Sequence, residues 1–122
     1  RLQARDDGVR ALAEALISSG GDLHESGLPN TRLRWLGLAR TGIEQEGLQH
    51  IVKLMTTRDI AIETLQLQHN GLPAGAAPLL ARIVAGSQSL TDIDISENPL
   101  GPAGVARIAL ALRTNTNIVS IR

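Results

Sequence analysis

Leu90 to Leu112, LTDIDISENPLGPAGVARIALAL, decides the fold, because it holds one full cycle of a pattern that recurs on both sides of it. The frame is Leu90-x-x-Ile93-x-Ile95-x-x-Asn98-x-Leu100, then Gly104-Val105-x-x-Ile108, then Leu112. The same frame runs through Ile62, Leu65, Leu67, Asn70, Leu72, Ala76-Ala77, Leu80 and Val84, and before that through Leu33, Leu36, Leu38, Thr41, Ile43, Gly47-Leu48, Ile51 and Met55. A last copy begins at Ile118 and reaches Ile121 and Arg122. The starts at Leu33, Ile62, Leu90 and Ile118 lie 29, 28 and 28 residues apart, a period that signals a stacked repeat architecture.

Within a unit, Ile93-Asp94-Ile95 alternates apolar and polar residues with the two-residue period of a half-buried strand. From Pro102 onward, Val105, Ile108, Ala109 and Leu112 fall on one helix face, and Pro102 stands near the helix start, where its missing N–H costs nothing. Each unit is therefore strand, turn, helix. One strand and one helix cannot bury their own apolar faces, so the units must stack, with parallel strands side by side and helices outside. Asn70 and Asn98 at the strand exits are suited to hydrogen-bond turn backbone, with Thr41 in that place upstream. The small residues Gly47, Ala76 and Gly104 are expected to allow a close helix-to-strand approach.

LxxLxLxxNxLG followed by glycine, an aliphatic residue and a helical LxxxL resembles the ribonuclease-inhibitor type of leucine-rich repeat, in register over Leu33 to Arg122. The resemblance implies an α/β leucine-rich repeat solenoid, a horseshoe with a parallel β-sheet on its concave side and helices on its convex side. It also implies that the concave sheet binds other proteins. The repeat type occurs as well in GTPase activators of the Ran activator kind, which makes such an activity one alternative. An architectural segment of a larger assembly is another.

The chain reads as a single domain of 122 residues, long enough to bury roughly two-thirds of its unfolded surface. Residues 1–17 read as the helix of a truncated repeat, with Val9, Leu12, Ala13 and Leu16 on one face and Asp6-Asp7 at the end where negative charge is favourable. Its strand would precede Arg1, so the chain reads as a piece of a longer array. Ser18 to Thr31 is an insertion of about ten residues, begun by a helix-ending Gly20-Gly21 and expected as a loop. Full repeats follow at 33–61, 62–89 and 90–117, and 118–122 starts a further strand that more repeats or another element would cover. Pro78, Leu79 and Ile83 fall off the core face of the second helix, and neighbouring helices are expected to cover part of them.

Net formal charge is zero, so the electrostatic footprint of a nucleic-acid or membrane-surface binder is missing. No apolar run is long enough to span a membrane. One aromatic residue, Trp35, provides no stacking platform for single strands. With no cysteine there is neither disulfide nor thiolate metal site, which favours an intracellular, cytoplasmic setting. His24, His50 and His69 fall in different elements, no cofactor motif is present, and DIDISEN lacks the glycine and glutamate of a calcium loop. Asp92 and Asp94 share a strand face, but no base or metal partner accompanies them, so the chain reads as non-catalytic.

With Leu36, Leu38, Leu65, Leu67, Ile93 and Ile95 pointing inward, the residues between them form the concave face. The expected protein-binding residues are Arg34, Trp35 and Arg40 at an aromatic and basic end, Gln66, Gln68 and His69 in a neutral strip, and Asp92, Asp94 and Glu97 at an acidic end. Trp35 would anchor a partner and the acidic end would steer a basic surface. The competing structural readings are that Trp35 packs under the insertion and that Asp94 pairs with Arg122.

Overall fold

A computed structural model describes residues 4–21, 33–57, 60–115, 117–118 and 120–122. Four short strands, β1 (Trp35–Gly37), β2 (Thr64–Gln66), β3 (Asp92–Asp94) and β4 (Ser120–Ile121), form one parallel sheet in chain order. Their central residues Leu36, Leu65 and Ile93 are buried, as are Leu38, Leu67 and Ile95 two places on, which is the expected alternation. The pairing continues beyond the strands, with the N–H of Leu38 donating to Gln66 O (2.8 Å), Arg40 to Gln68 O (3.1 Å), Leu67 to Asp94 O (2.8 Å) and His69 to Ser96 O (3.1 Å).

Helices α1 (Ala4–Gly21), α2 (Gln45–Met55), α3 (Ala77–Gly86) and α4 (Gly101–Ala111) pack side by side on the other face of the sheet. Single 3₁₀ turns lead into α3 at Ala74–Ala76 and out of α4 at Leu112–Thr114. The layers enclose one core, in which Ile43, Leu48, Ile51, Leu65, Leu72, Leu80 and Ile83 have no exposed surface. This is the α/β solenoid that the repeat implies. Helix α1 runs through Ser18–Gly21, past the expected end at Ile17, and the rest of the insertion, residues 22–31, lies outside the described residues together with His24.

The strand-exit asparagines tie each unit to the one before it. Asn70 is buried, and its Oδ1 accepts from the N–H groups of Thr41 (3.0 Å) and Gly42 (2.9 Å) while its Nδ2 donates to Leu38 O (2.9 Å) and Leu67 O (2.9 Å). Asn98 repeats the arrangement one unit later, accepting from Asn70 N (2.9 Å) and Leu72 N (3.1 Å) and donating to Leu67 O (3.0 Å) and Ile95 O (2.9 Å). Thr41 does only the local half, its Oγ1 donating to Leu38 O at 2.8 Å. A further bridge carries no signal in the repeat frame: Nδ2 of buried Asn115 donates to Val84 O (2.7 Å) and Ser87 O (2.8 Å), closing the C-terminal end of α3.

Two expectations need correction. The small residues face the preceding helix rather than the strand: a Cβ on Gly104 would stand 3.3 Å from that of Ala77 in α3, and one on Gly47 would collide with the Asp6 carboxylate of α1. Asp6 therefore does more than complement its own helix, because its Oδ1 accepts from the N–H of Glu44 (2.9 Å) at the start of α2, where no side chain of α2 itself caps. In α4 and the turn after it, only Ile108 of the four expected core positions is fully buried; Leu112 is half-buried, and Val105 and Ala109 are exposed. The reason is positional. Val105 is 55% exposed, whereas Ala77, its counterpart one unit earlier, is 1% exposed beneath the helix that follows it. On α3, Ile83 is buried and Pro78 and Leu79 are half-buried, so these three residues form no open apolar patch.

Asn70→Ala removes the donors and acceptors that serve two turns at once, and leaving buried backbone groups unsatisfied costs about 1–3 kcal/mol each. Urea unfolding should show a loss of about 3 kcal/mol for N70A against about 1 kcal/mol for T41A. Equal small losses for both would mean that the asparagine does not carry the junction.

Candidate functional site

The strand register sets the outward side chains in lateral columns. Trp35 pairs with Thr64, Thr64 with Asp92 and Asp92 with Ser120, while Gly37, Gln66 and Asp94 form the next column. Adjacent strands stand about 4.8 Å apart, so a group on β1 lies about 10 Å from its counterpart on β3. Past the strands comes a third row, Arg40, His69 and Glu97, whose backbones all adopt the left-handed conformation with φ of 58°, 60° and 58°. That conformation costs a residue with a side chain about 1–2 kcal/mol, so the repeat's turn geometry is imposed on whatever residue stands there. All three side chains are exposed.

Trp35 is 55% exposed. Its six-membered ring lies over Gly37, where a Cβ would come 2.7 Å from the indole Cζ3. Bare backbone at Gly37 is what lets the indole lie along the strand, so the platform is made by two residues, of which the sequence pattern pointed to one. The remaining contacts redistribute the expected charges. Arg34 is not a free cation at the basic end: its Nε lies 3.8 Å from the Glu63 carboxylate at the edge where the strands begin. Arg40 carries that end instead.

At the opposite end, Asp94 Oδ1 accepts from the N–H (3.0 Å) and Oγ (2.6 Å) of Ser96, and Asp92 Oδ2 accepts from Thr91 Oγ1 (2.9 Å). Among the described residues neither carboxylate, nor that of Glu97, has a cation within 4.0 Å, so Arg122 does not pair with Asp94. Arg122, Asp92, Asp94, Ser120, Thr64 and Gln66 instead rim a dimple of about 40 Å³ on the face. Between the two ends, Gln68 keeps a buried Oε1 with no hydrogen-bond donor among the described residues. Among the described residues, no group of three His, Asp or Glu side chains comes together as a metal-ligand set.

The chain is 30% identical to the mouse ribonuclease inhibitor over 104 residues, 85% of its own length. These are ribonuclease-inhibitor type leucine-rich repeats. A human NACHT, LRR and PYD domains-containing protein 5 is 24% identical over 91 residues, 75% of the chain. The solved structure of the leiomodin-1 actin-binding site 2 shares the leucine-rich repeat fold, with a TM-score of 0.77 over 95% of this chain and 61% of its own, at 19% identity. No protein-family model matches. The chain spans 18% of the mouse inhibitor and 8% of the human protein. No described helix is long and apolar enough to cross a membrane.

In this repeat, the platform is testable through its own fluorescence, because Trp35 is the single tryptophan of the sequence. G37A should push the indole off the strand, raising acrylamide quenching and shifting emission to the red, with less than about 1 kcal/mol change in stability. Unchanged quenching would place the ring elsewhere.

Proposed function

We propose that this segment recognises a protein through the exposed face of its sheet, with Trp35 as the apolar anchor and Asp92, Asp94 and Glu97 as the contacts to a basic surface. One observation carries the reading: an exposed tryptophan stands in lateral register with carboxylates that have no cation within 4.0 Å among the described residues, although Arg122 rims the same dimple. Tryptophan supplies the largest contact area at an interface centre, and complementary charge speeds and orients encounter. Gln66, Gln68 and His69 supply hydrogen-bonding groups between the ends, and Arg40 an exposed cation on the rim at the Trp35 end. Arg34 contributes less, because Glu63 already engages it.

Affinity capture from native extract tests this directly, comparing the chain with D92K/D94K/E97K after circular dichroism has shown both to be folded. A partner retained by the chain should be lost at least tenfold by the variant, as expected when charges at an interface are reversed. Equal capture by both would remove the acidic end from the contact.

A second reading, an architectural segment of a larger assembly, is favoured by the far side of β3 and α4. There Ile95, Leu100, Val105, Ile108, Leu112 and Ile121 line an open groove of about 330 Å³. The occupant that fits is another unit of the same repeat, since the matching surfaces of the earlier units are covered in that way. V105E in the whole protein should then cost about 2 kcal/mol or more, as for a polar group buried without a partner. A change within about 0.5 kcal/mol, usual for an exposed site, would leave the groove open to solvent.

A further inference from the structure

Two rows on the concave face are polarised in the same direction. The strand row runs from Trp35 on β1, through Thr64 and Gln66 on β2, to Asp92 and Asp94 on β3. The rim row runs from Arg40 through His69 to Glu97, held in parallel by the backbone bonds from Arg40 N to Gln68 O and from His69 N to Ser96 O. With Arg34 engaged by Glu63, one end therefore offers an indole and a cation, and the other three carboxylates against one cation, Arg122, on the rim of the same dimple. A partner that matches both rows must carry an apolar group and a cation about 10 Å apart, two strand spacings of about 4.8 Å.

That distance selects the partner's shape. An α-helix rises about 1.5 Å per residue, so side chains at i and i+7 lie on one face about 10.5 Å apart, with i+3 and i+4 between them. One helical turn then meets one strand. An extended chain points alternate side chains the same way at about 6.8 Å and about 13.6 Å, and misses the separation on either side. The middle strand, with Thr64 and Gln66 facing outward, asks only for small or polar groups.

Building on the concave reading above, we propose that the partner presents an α-helix lying across the strands, with a large apolar residue on Trp35, a lysine or arginine seven residues away over Asp92 and Asp94, and an acidic residue beside Arg40. The helix is held by its side chains, not by strand addition, because the face offered is the pleated surface of the sheet and not its edge.

Competitive selection tests this: a display library of a helical miniprotein randomised on one exposed face is mixed with an unstructured linear peptide library of equal length, both without tryptophan, and selected on the folded chain. Winners should come from the helical library, carry the apolar and basic residues at i and i+7, shift Trp35 emission, and bind D92K/D94K/E97K at least tenfold more weakly. If D94K disturbs the turn that Asp94 holds with Ser96, D92K/E97K should show the same direction of loss. Winners from the linear library, helical winners without the spacing, or no winners at all would overturn the helix. Linear winners that shift Trp35 and weaken on the variants would leave the concave surface standing. Winners indifferent to Trp35 and to the charge reversal would remove the concave reading as well.

Discussion

One side-chain amide per junction holds the solenoid in step. Where the chain leaves the sheet, its backbone turns through a left-handed residue at Arg40, His69 or Glu97, and neither a ladder nor a helix can satisfy the groups that follow. Asn70 and Asn98 reach back from the next unit, accepting from the turn's N–H groups and donating to carbonyls of two units. An acid at that position could accept but not donate, and a leucine could do neither. Slippage by one residue would break every one of these bonds and turn the apolar strand positions outward. The ladder thus fixes register, and register fixes which outward residues become neighbours.

The concave face inherits its character from that constraint. Residues at the same place in successive units stand beside one another, so a column such as Trp35, Thr64, Asp92 is free to vary in chemistry while its geometry is held by the apolar residues and amides behind it. The scaffold also tolerates local adjustment: Gly37 leaves bare the spot on which the Trp35 ring lies. A rigid sheet, an aromatic platform and carboxylates with no cation within 4.0 Å among the described residues together favour a partner that is itself shaped and charged in a definite direction.

Much of this was readable in the chain. The period of the apolar residues placed strands and helices to within a few residues, and alternation alone separated Leu65 and Leu67 from Thr64 and Gln66. What escaped the reading were contacts between units, where residues distant in the chain meet. The ion pair of Arg34 with Glu63, the reach of Asp6 to the start of α2, and the bridge from Asn115 to the end of α3 each join side chains to groups a whole unit away. Helix faces misled for a related reason. Spacing marks Val105 as apolar-facing, but burial needs a neighbour, and among the described residues nothing covers it as α4 covers α3. Small residues such as Gly47 and Gly104 signal close approach, but spacing along one chain does not show that the approach is towards the preceding helix and not the strand.

Hydrogen exchange with a captured partner bound tests the use of the concave face most directly. The expected result is added protection at the rim and strand segments Trp35–Arg40, Thr64–His69 and Asp92–Glu97, with the solvent-facing sides of α2 and α3 unchanged. Protection confined to α4 and the groove beside Val105, with the strands unaffected, would contradict it and assign the contact to the end of the array.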